Sequence, residues 1–119
     1  MNLMFKVIVA GGRDFKDYAL LEEKLNHLLS QKSDIEIVCG MARGADFLGY
    51  RYASRKNLSV KLFPAKWAKE GLQAGYLRNL EMARYADACV CFWDGKSRGT
   101  ADMIRCARKY KLQLRVFKY

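Results

Sequence analysis

Apolar runs and helix-period segments alternate along this chain. Residues 5–10, Phe-Lys-Val-Ile-Val-Ala, predict a strand dense in β-branched positions. From Asp17 to Gln31 the period changes: Leu21, Leu25, Leu28 and Leu29 share one helical face, while Glu22, Glu23 and Lys24 take another. Residues 35–39 predict a second strand, and Ala45 to Lys56 a second helix that closes near Asn57. Leu58 to Phe63 alternates as a strand up to Pro64. A third helix is expected from about Ala74 to Ala86, with Leu77, Leu80 and Ala83 inward. Ala88 to Trp93 reads as a fourth strand, Thr100 to Tyr110 as a fourth helix, and Leu112 to Phe117 as a fifth strand.

Strands and helices alternating with short connections imply a parallel sheet with helices on both faces. Right-handed crossovers leave few topologies. In such open sheets a ligand lies outside the carboxyl ends of the strands, where strand order reverses. Three glycine-bearing turns fall on that edge: Gly11-Gly12-Arg13-Asp14, the segment Gly40 to Asp46, and Asp94-Gly95-Lys96-Ser97-Arg98-Gly99-Thr100. Glycines let the backbone approach a ligand, helix amides point at it, and cations neutralise it.

Composition narrows the partners. A chain of 119 residues matches one domain, read here as a single unit over 1–119, and half of it is apolar. Its net charge of +10 favours acidic partners such as nucleotides, nucleic acid or polyphosphate, against a basic surface with no dedicated partner. No apolar stretch reaches the ~18 residues of a membrane span. Met1 to Ala10 runs straight into a glycine turn, unlike a secretory leader, so a cytoplasmic setting is expected. Cys39, Cys89, Cys91 and Cys106 sit in or beside apolar runs without CxxC spacing, which predicts reduced core residues rather than a metal site.

The same turns hold the candidate chemistry. Arg13, Arg43, Lys96 and Arg98 lie in them, and Arg78 with Asn79 lies early in the third helix. Guanidinium forks hold phosphate oxygens in paired hydrogen bonds. Asp14, Asp46 and Asp94 either accept from ribose hydroxyls or serve locally, Asp46 in the first turn of its helix and Asp14 in its own turn. Ser97 and Thr100 either donate to phosphate or cap the last helix. The only histidine, His27, falls within the first helix, which disfavours a serine–histidine pair. Phe15, Trp67, Tyr76 and Trp93 flank the loops, as base-stacking surfaces or as packing beneath them.

Five segments carry a resemblance: Gly-Gly-Arg-Asp-Phe at 11–15, Gly-Met-Ala-Arg-Gly-Ala-Asp at 40–46, Pro-Ala-Lys-Trp at 64–67, Ala-Gly-Tyr-Leu-Arg-Asn at 74–79, and Phe-Trp-Asp-Gly-Lys-Ser-Arg-Gly-Thr at 92–100. Together they resemble the YspA-type (YAcAr) branch of the SLOG superfamily, common in phages and bacteria, over nearly the whole chain. The resemblance implies a Rossmann-like three-layer α/β sandwich with a mainly parallel five-stranded sheet. It also implies a nucleotide or nucleotide-derived ligand held by the glycine-rich loops, with sensing as one role; no cofactor is expected to be required. The superfamily includes LOG phosphoribohydrolases, whose glycine-rich motif ends in a glutamate that serves cleavage of base from ribose. Aligning Gly99-Thr100 with that motif puts Met103 at the glutamate position, with Asp102 about 100° away around the helix.

The expected binding residues are therefore Gly11, Gly12, Arg13, Asp14, Gly40, Arg43, Gly44, Asp46, Arg78, Asn79, Asp94, Gly95, Lys96, Ser97, Arg98, Gly99 and Thr100. Binding is favoured over turnover. The alternatives are nucleotide hydrolysis through an aspartate outside the LOG motif, and single-stranded nucleic-acid binding. A second copy of the chain is a further candidate partner.

Overall fold

The computed structural model describes residues 4–119; residues 1–3, the start of the stretch contrasted above with a leader, lie outside the described residues. Strands β1 (Phe5–Gly11), β2 (Ile35–Cys39), β3 (Ser59–Leu62), β4 (Ala88–Trp93) and β5 (Gln113–Lys118) form one sheet in the order β3-β2-β1-β4-β5. Every pairing is parallel, so the sheet is parallel throughout rather than mainly so. Val7 of the central strand lies opposite Ile37 on one side and Ala88 on the other.

Helices α1 (Tyr18–Leu28), α2 (Ala45–Arg55), α4 (Ala74–Tyr85) and α5 (Arg98–Lys109) are the crossovers, and a single turn α3 (Trp67–Glu70) precedes α4. The pleat of β1 and β4 sorts the core into two layers. Val7, Val9, Val90 and Phe92 pack with Leu21 and Leu25 of α1 and Leu48 and Tyr52 of α2. Ile8, Ala10, Cys89 and Cys91 face Met82 and Ala83 of α4 and Met103, Ile104 and Ala107 of α5. A three-layer Rossmann-like sandwich results, as its strand-and-helix pattern predicts. All four cysteines are buried and unbridged.

Helix ends follow their caps. Asp17 stands outside α1 and accepts from the Leu20 amide at 3.0 Å, and Leu29 closes the helix, so α1 is shorter than the Asp17–Gln31 expectation. Ser97 accepts from the Thr100 amide at 3.4 Å and starts α5 at Arg98, two residues before the predicted Thr100. The short α3, which runs through a 3₁₀ turn at Gly71–Gln73 into α4, has no counterpart in the sequence reading. Four residues carry too little of a 3.6-residue period to be seen in a hydrophobic pattern. Among the described residues no helix is long and apolar enough to cross a membrane.

Candidate functional site

Strand order reverses between β1 and β4, and a cavity of about 560 Å³ opens at their carboxyl ends. Its base is the β1 turn. The Gly12 amide donates to the Phe92 carbonyl at 3.1 Å, tying the turn to β4, and the Gly12 carbonyl accepts from Ala45 at 3.2 Å, tying it to α2. Two positions require glycine. A Cβ on Gly11 would lie 2.3 Å from the Phe92 oxygen, and one on Gly44, at φ +79°, would lie 2.1 Å from the Gly12 oxygen.

Behind this turn a buried carboxylate and a half-buried guanidinium both bond to Gly40. Asp46, on the first turn of α2, is 5 % exposed. Instead of capping its own helix it accepts from the Gly40 amide at 3.2 Å. Burial raises its pKa from 3.8 to about 6, opposed by Arg78 and by the amides of Gly40, Ala42 and Gly11. Arg78 reaches from α4 to donate to the Gly40 carbonyl and, at 3.1 Å, to Asn79 Oδ1. The Gly40 peptide is thus gripped from both sides. Burial lowers the pKa of Arg78, Asp46 opposes this, and the neighbouring Arg13 adds to it. Two guanidinium groups close enough to repel face one cavity. An anion between them relieves that repulsion.

Asn79 extends the network across to α5. Its Nδ2 donates to the Gly99 carbonyl at 3.2 Å and to Asp102 Oδ2 at 3.1 Å. Asp102 is 6 % exposed and pairs with Arg105, so the carboxylate beside the LOG glutamate position holds two helices together. Met103 lies in the cavity wall itself, 1 % exposed, and presents an apolar side chain there.

The third wall is the β4–α5 turn. Asp94 Oδ1 accepts from the amides of Lys96 and Ser97, each at 2.8 Å, and these bonds, Ser97 first, lower its pKa. Ser97 caps α5 and sits 3.2 Å from the Thr100 hydroxyl. The first amides of α5, at Arg98 and Gly99, have no preceding helical carbonyl to bond and carry the positive end of the helix dipole.

The fourth wall is apolar and open. Trp67, Leu72 and Tyr76 line the cavity while 50 %, 91 % and 47 % exposed. Phe15, by contrast, is buried and stacked on Phe92 with ring centroids 4.8 Å apart, so it packs beneath the loop.

Of the expected site residues, the structure brings Gly11, Gly12, Arg13 and Asp14 together around the cavity with Asp46, Arg78 and Asn79. Asp94, Ser97, Gly99 and Thr100 complete the polar lining. Gly40, Arg43, Gly44, Gly95, Lys96 and Arg98 do not line it. Gly40 and Gly44 shape the walls from behind, and Arg43 and Arg98 are exposed. His27 occupies the last turn of α1, at the opposite edge of the sheet. Leu72, Gly75 and Ala42 also line the cavity and are absent from the expected set; two apolar residues, Trp67 and Leu72, soon after Pro64 are the available signal. Among the described residues no group of His, Cys, Asp or Glu is arranged to hold a metal.

Comparison with known proteins places this geometry. Residues 5–69 match the family described as YspA, cpYpsA-related SLOG family (YAcAr). The chain belongs to this family. Gene 61 protein of Mycobacterium phage D29 is 36 % identical over 113 residues, which cover 89 % of this chain and 90 % of that protein. Among solved structures, DNA processing protein A from Helicobacter pylori, studied for its single-stranded DNA binding mode, superposes with a TM-score of 0.63 at 19 % identity. The match covers 94 % of this SLOG-family chain but spans only 64 % of the length of that structure, and it shows a shared fold.

Proposed function

We propose that the cavity binds a nucleotide or nucleotide-derived ligand, with ligand sensing as the role this serves. One observation carries the reading: Arg13, Arg78, the amino end of α5 and the exposed rings of Trp67 and Tyr76 all face one 560 Å³ space at the strand-order switch. Phosphate goes to the guanidinium groups and helix amides. The ribose goes to Asp14 or Asp94, and the base to the Trp67–Tyr76 wall. The test is calorimetric titration of mononucleotides and ADP-ribose-type molecules into wild type and Arg13→Ala. Saturable binding, weakened at least tenfold by the substitution, is expected. No binding by wild type across the panel sinks the reading.

Single-stranded nucleic acid is the second reading, supported by the +10 charge and by the single-stranded DNA binding of the structural neighbour. Hydrolysis of a nucleotide is a third reading, with Asp46, a cavity carboxylate whose pKa burial raises to about 6, as the candidate acid–base group. It predicts free base or phosphate from nucleoside monophosphates, abolished in Asp46→Asn; chromatography showing neither product from wild type rejects it.

A further inference from the structure

Helix α5 separates two cavities. Gly99, Thr100 and Met103 face the one described above. Ile104, Arg105 and Arg108 face another of about 630 Å³, bounded on its far side by Val116 and Lys118 of β5 and by Trp93 at the end of β4. No acidic side chain lines this second cavity among the described residues. Arg105 is paired with Asp102, whereas Arg108 and Lys118 have no carboxylate within 4.0 Å among the described residues. The Lys118 ammonium lies 5.5 Å from the centre of the Trp93 ring. The ring is held in place because its Nε1 donates to the Ser97 carbonyl at 3.1 Å. Ser97 also lines the first cavity, so one turn borders both spaces.

We propose that this second cavity is a subsite for the next stretch of a single-stranded nucleic acid whose terminal nucleotide occupies the first. The inference rests on the second reading above. Arg105, Arg108 and Lys118 take backbone phosphates, and the face of Trp93 takes an unpaired base. Cations spread over a full helical turn and a neighbouring strand exceed what a single phosphate monoester can use. A fixed aromatic ring beside them supplies the stacking surface that a polyanion without bases would leave idle. A helix is about 10–12 Å across with its side chains. That is roughly three steps at the ~3.4 Å rise of a stacked strand. A duplex hides its base faces and gains nothing from Trp93.

The two tryptophans divide between the cavities, Trp67 in the first and Trp93 in the second, and the chain has only these two. In Trp67→Phe, which keeps an aromatic ring in the Trp67–Tyr76 wall, tryptophan emission reports on the second cavity alone; its affinity is taken as the reference for every further substitution, whatever the change at position 67 costs by itself. Titrating this protein with a thymidine dodecamer is expected to quench Trp93 saturably, with affinity falling steeply as salt rises. Adding Arg108→Ala and Lys118→Ala, both at exposed positions, should weaken binding at least tenfold. It should also make the slope of log affinity against log salt shallower by about 1.4, at ~0.7 for each phosphate no longer neutralised. Failure of wild type to bind the dodecamer at low salt removes the second reading and the subsite with it. Binding whose salt slope and Trp93 emission ignore the double substitution overturns the subsite alone. Equal quenching by polyglutamate or by the duplex form overturns the assignment to a single strand.

Discussion

The turn after β2, Gly40 to Gly44, and the turn after β4, Asp94 to Ser97, look alike as sequence. Both carry glycine and a basic residue, both follow a buried strand, and both lead into a helix. Folded, they divide their roles. The first is clamped from within, since Ala45 at the start of α2 donates to the Gly12 carbonyl and the Gly40 peptide is gripped by Asp46 and Arg78. The second is tied through Asp94 and Ser97 and by the Trp93 indole, which donates to the Ser97 carbonyl, and it leaves the start of α5 at Ser97, Gly99 and Thr100 lining the cavity. A glycine-and-arginine turn is thus free to receive a ligand only where no other part of the fold already occupies its helix amides.

The sharpest break of this comparison exchanges alanine for a glycine in each turn. Gly44 and Gly95 both have positive φ, at +79° and +84°. A Cβ on Gly44 meets the Gly12 oxygen at 2.1 Å, whereas on Gly95 the nearest atom is the Lys118 Nζ, at the end of a long flexible side chain, at 3.9 Å. Gly44→Ala adds a backbone clash to an unfavourable conformation and should cost about 3–5 kcal/mol. Gly95→Ala incurs only the conformational cost, about 1–2 kcal/mol. Urea denaturation measures both; equal losses would mean that the first turn is no more tightly enclosed than the second.

Next in size is the pH dependence of the clamp. The folded-state pKa of Asp46 lies near 6, above its unfolded value of 3.8. The group therefore favours folding fully below about pH 4, and that contribution is lost as pH rises through 6, amounting to about 3 kcal/mol at 1.36 kcal/mol per pH unit of displacement. Asp94 runs in the opposite direction, because its turn amides hold the ionised form. Asp46→Asn stays neutral at every pH, so its stability curve should lie close to that of wild type at pH 4 and separate from it towards pH 7, wild type falling by about 3 kcal/mol relative to the variant. A difference that stays constant across that range would show that burial does not govern Asp46.

Much of this fold is legible because β1, β2 and β4 are largely apolar runs, β3 and β5 alternate, and α1 has a clean leucine face. The residues of the cavity are legible only where glycine or charge marks a turn. Arg43 and Arg98 bear the same local marks as Arg13, yet they are exposed and do not line the cavity, since placement depends on how a turn docks and not on its composition. Asp46 reads as a helix-dipole residue, because nothing local reveals that the Gly40 peptide folds back over it. The bond from Asn79 to Asp102 joins residues 23 apart in sequence and leaves no periodic trace. Family likeness supplies what spacing does not, by setting the segments at 64–67 and 74–79 beside the glycine turns.

A smaller effect concerns how the open turn is held. Ser97→Ala removes the side-chain acceptor of the Thr100 amide and should cost about 1 kcal/mol of stability. Because the same residue lines the cavity, ligand affinity should fall as well, while in Ser97→Asp the cap survives and an anion is repelled. Stability recovered without affinity in the aspartate variant would separate the two roles of this position. Recovery of both would mean that no anion approaches the amino end of α5.

The smallest expected change is the most discriminating. Arg43 is an exposed cation of the clamped turn and lies outside the cavity lining, whereas Arg13 lines it and sits close enough to Arg78 to perturb it. Arg43→Ala removes one long-range charge, which is largely screened at physiological salt beyond about 8 Å. Its effect on nucleotide affinity should stay below about twofold. Losing a direct charged hydrogen bond at Arg13 is worth about 1.5–3 kcal/mol, or roughly tenfold to a hundredfold. Both substitutions lower the net charge by one, so a binding mode driven by overall charge would weaken equally in both. Only a ligand seated between Arg13 and Arg78 makes the two variants differ, and titration calorimetry at two salt concentrations tells these cases apart.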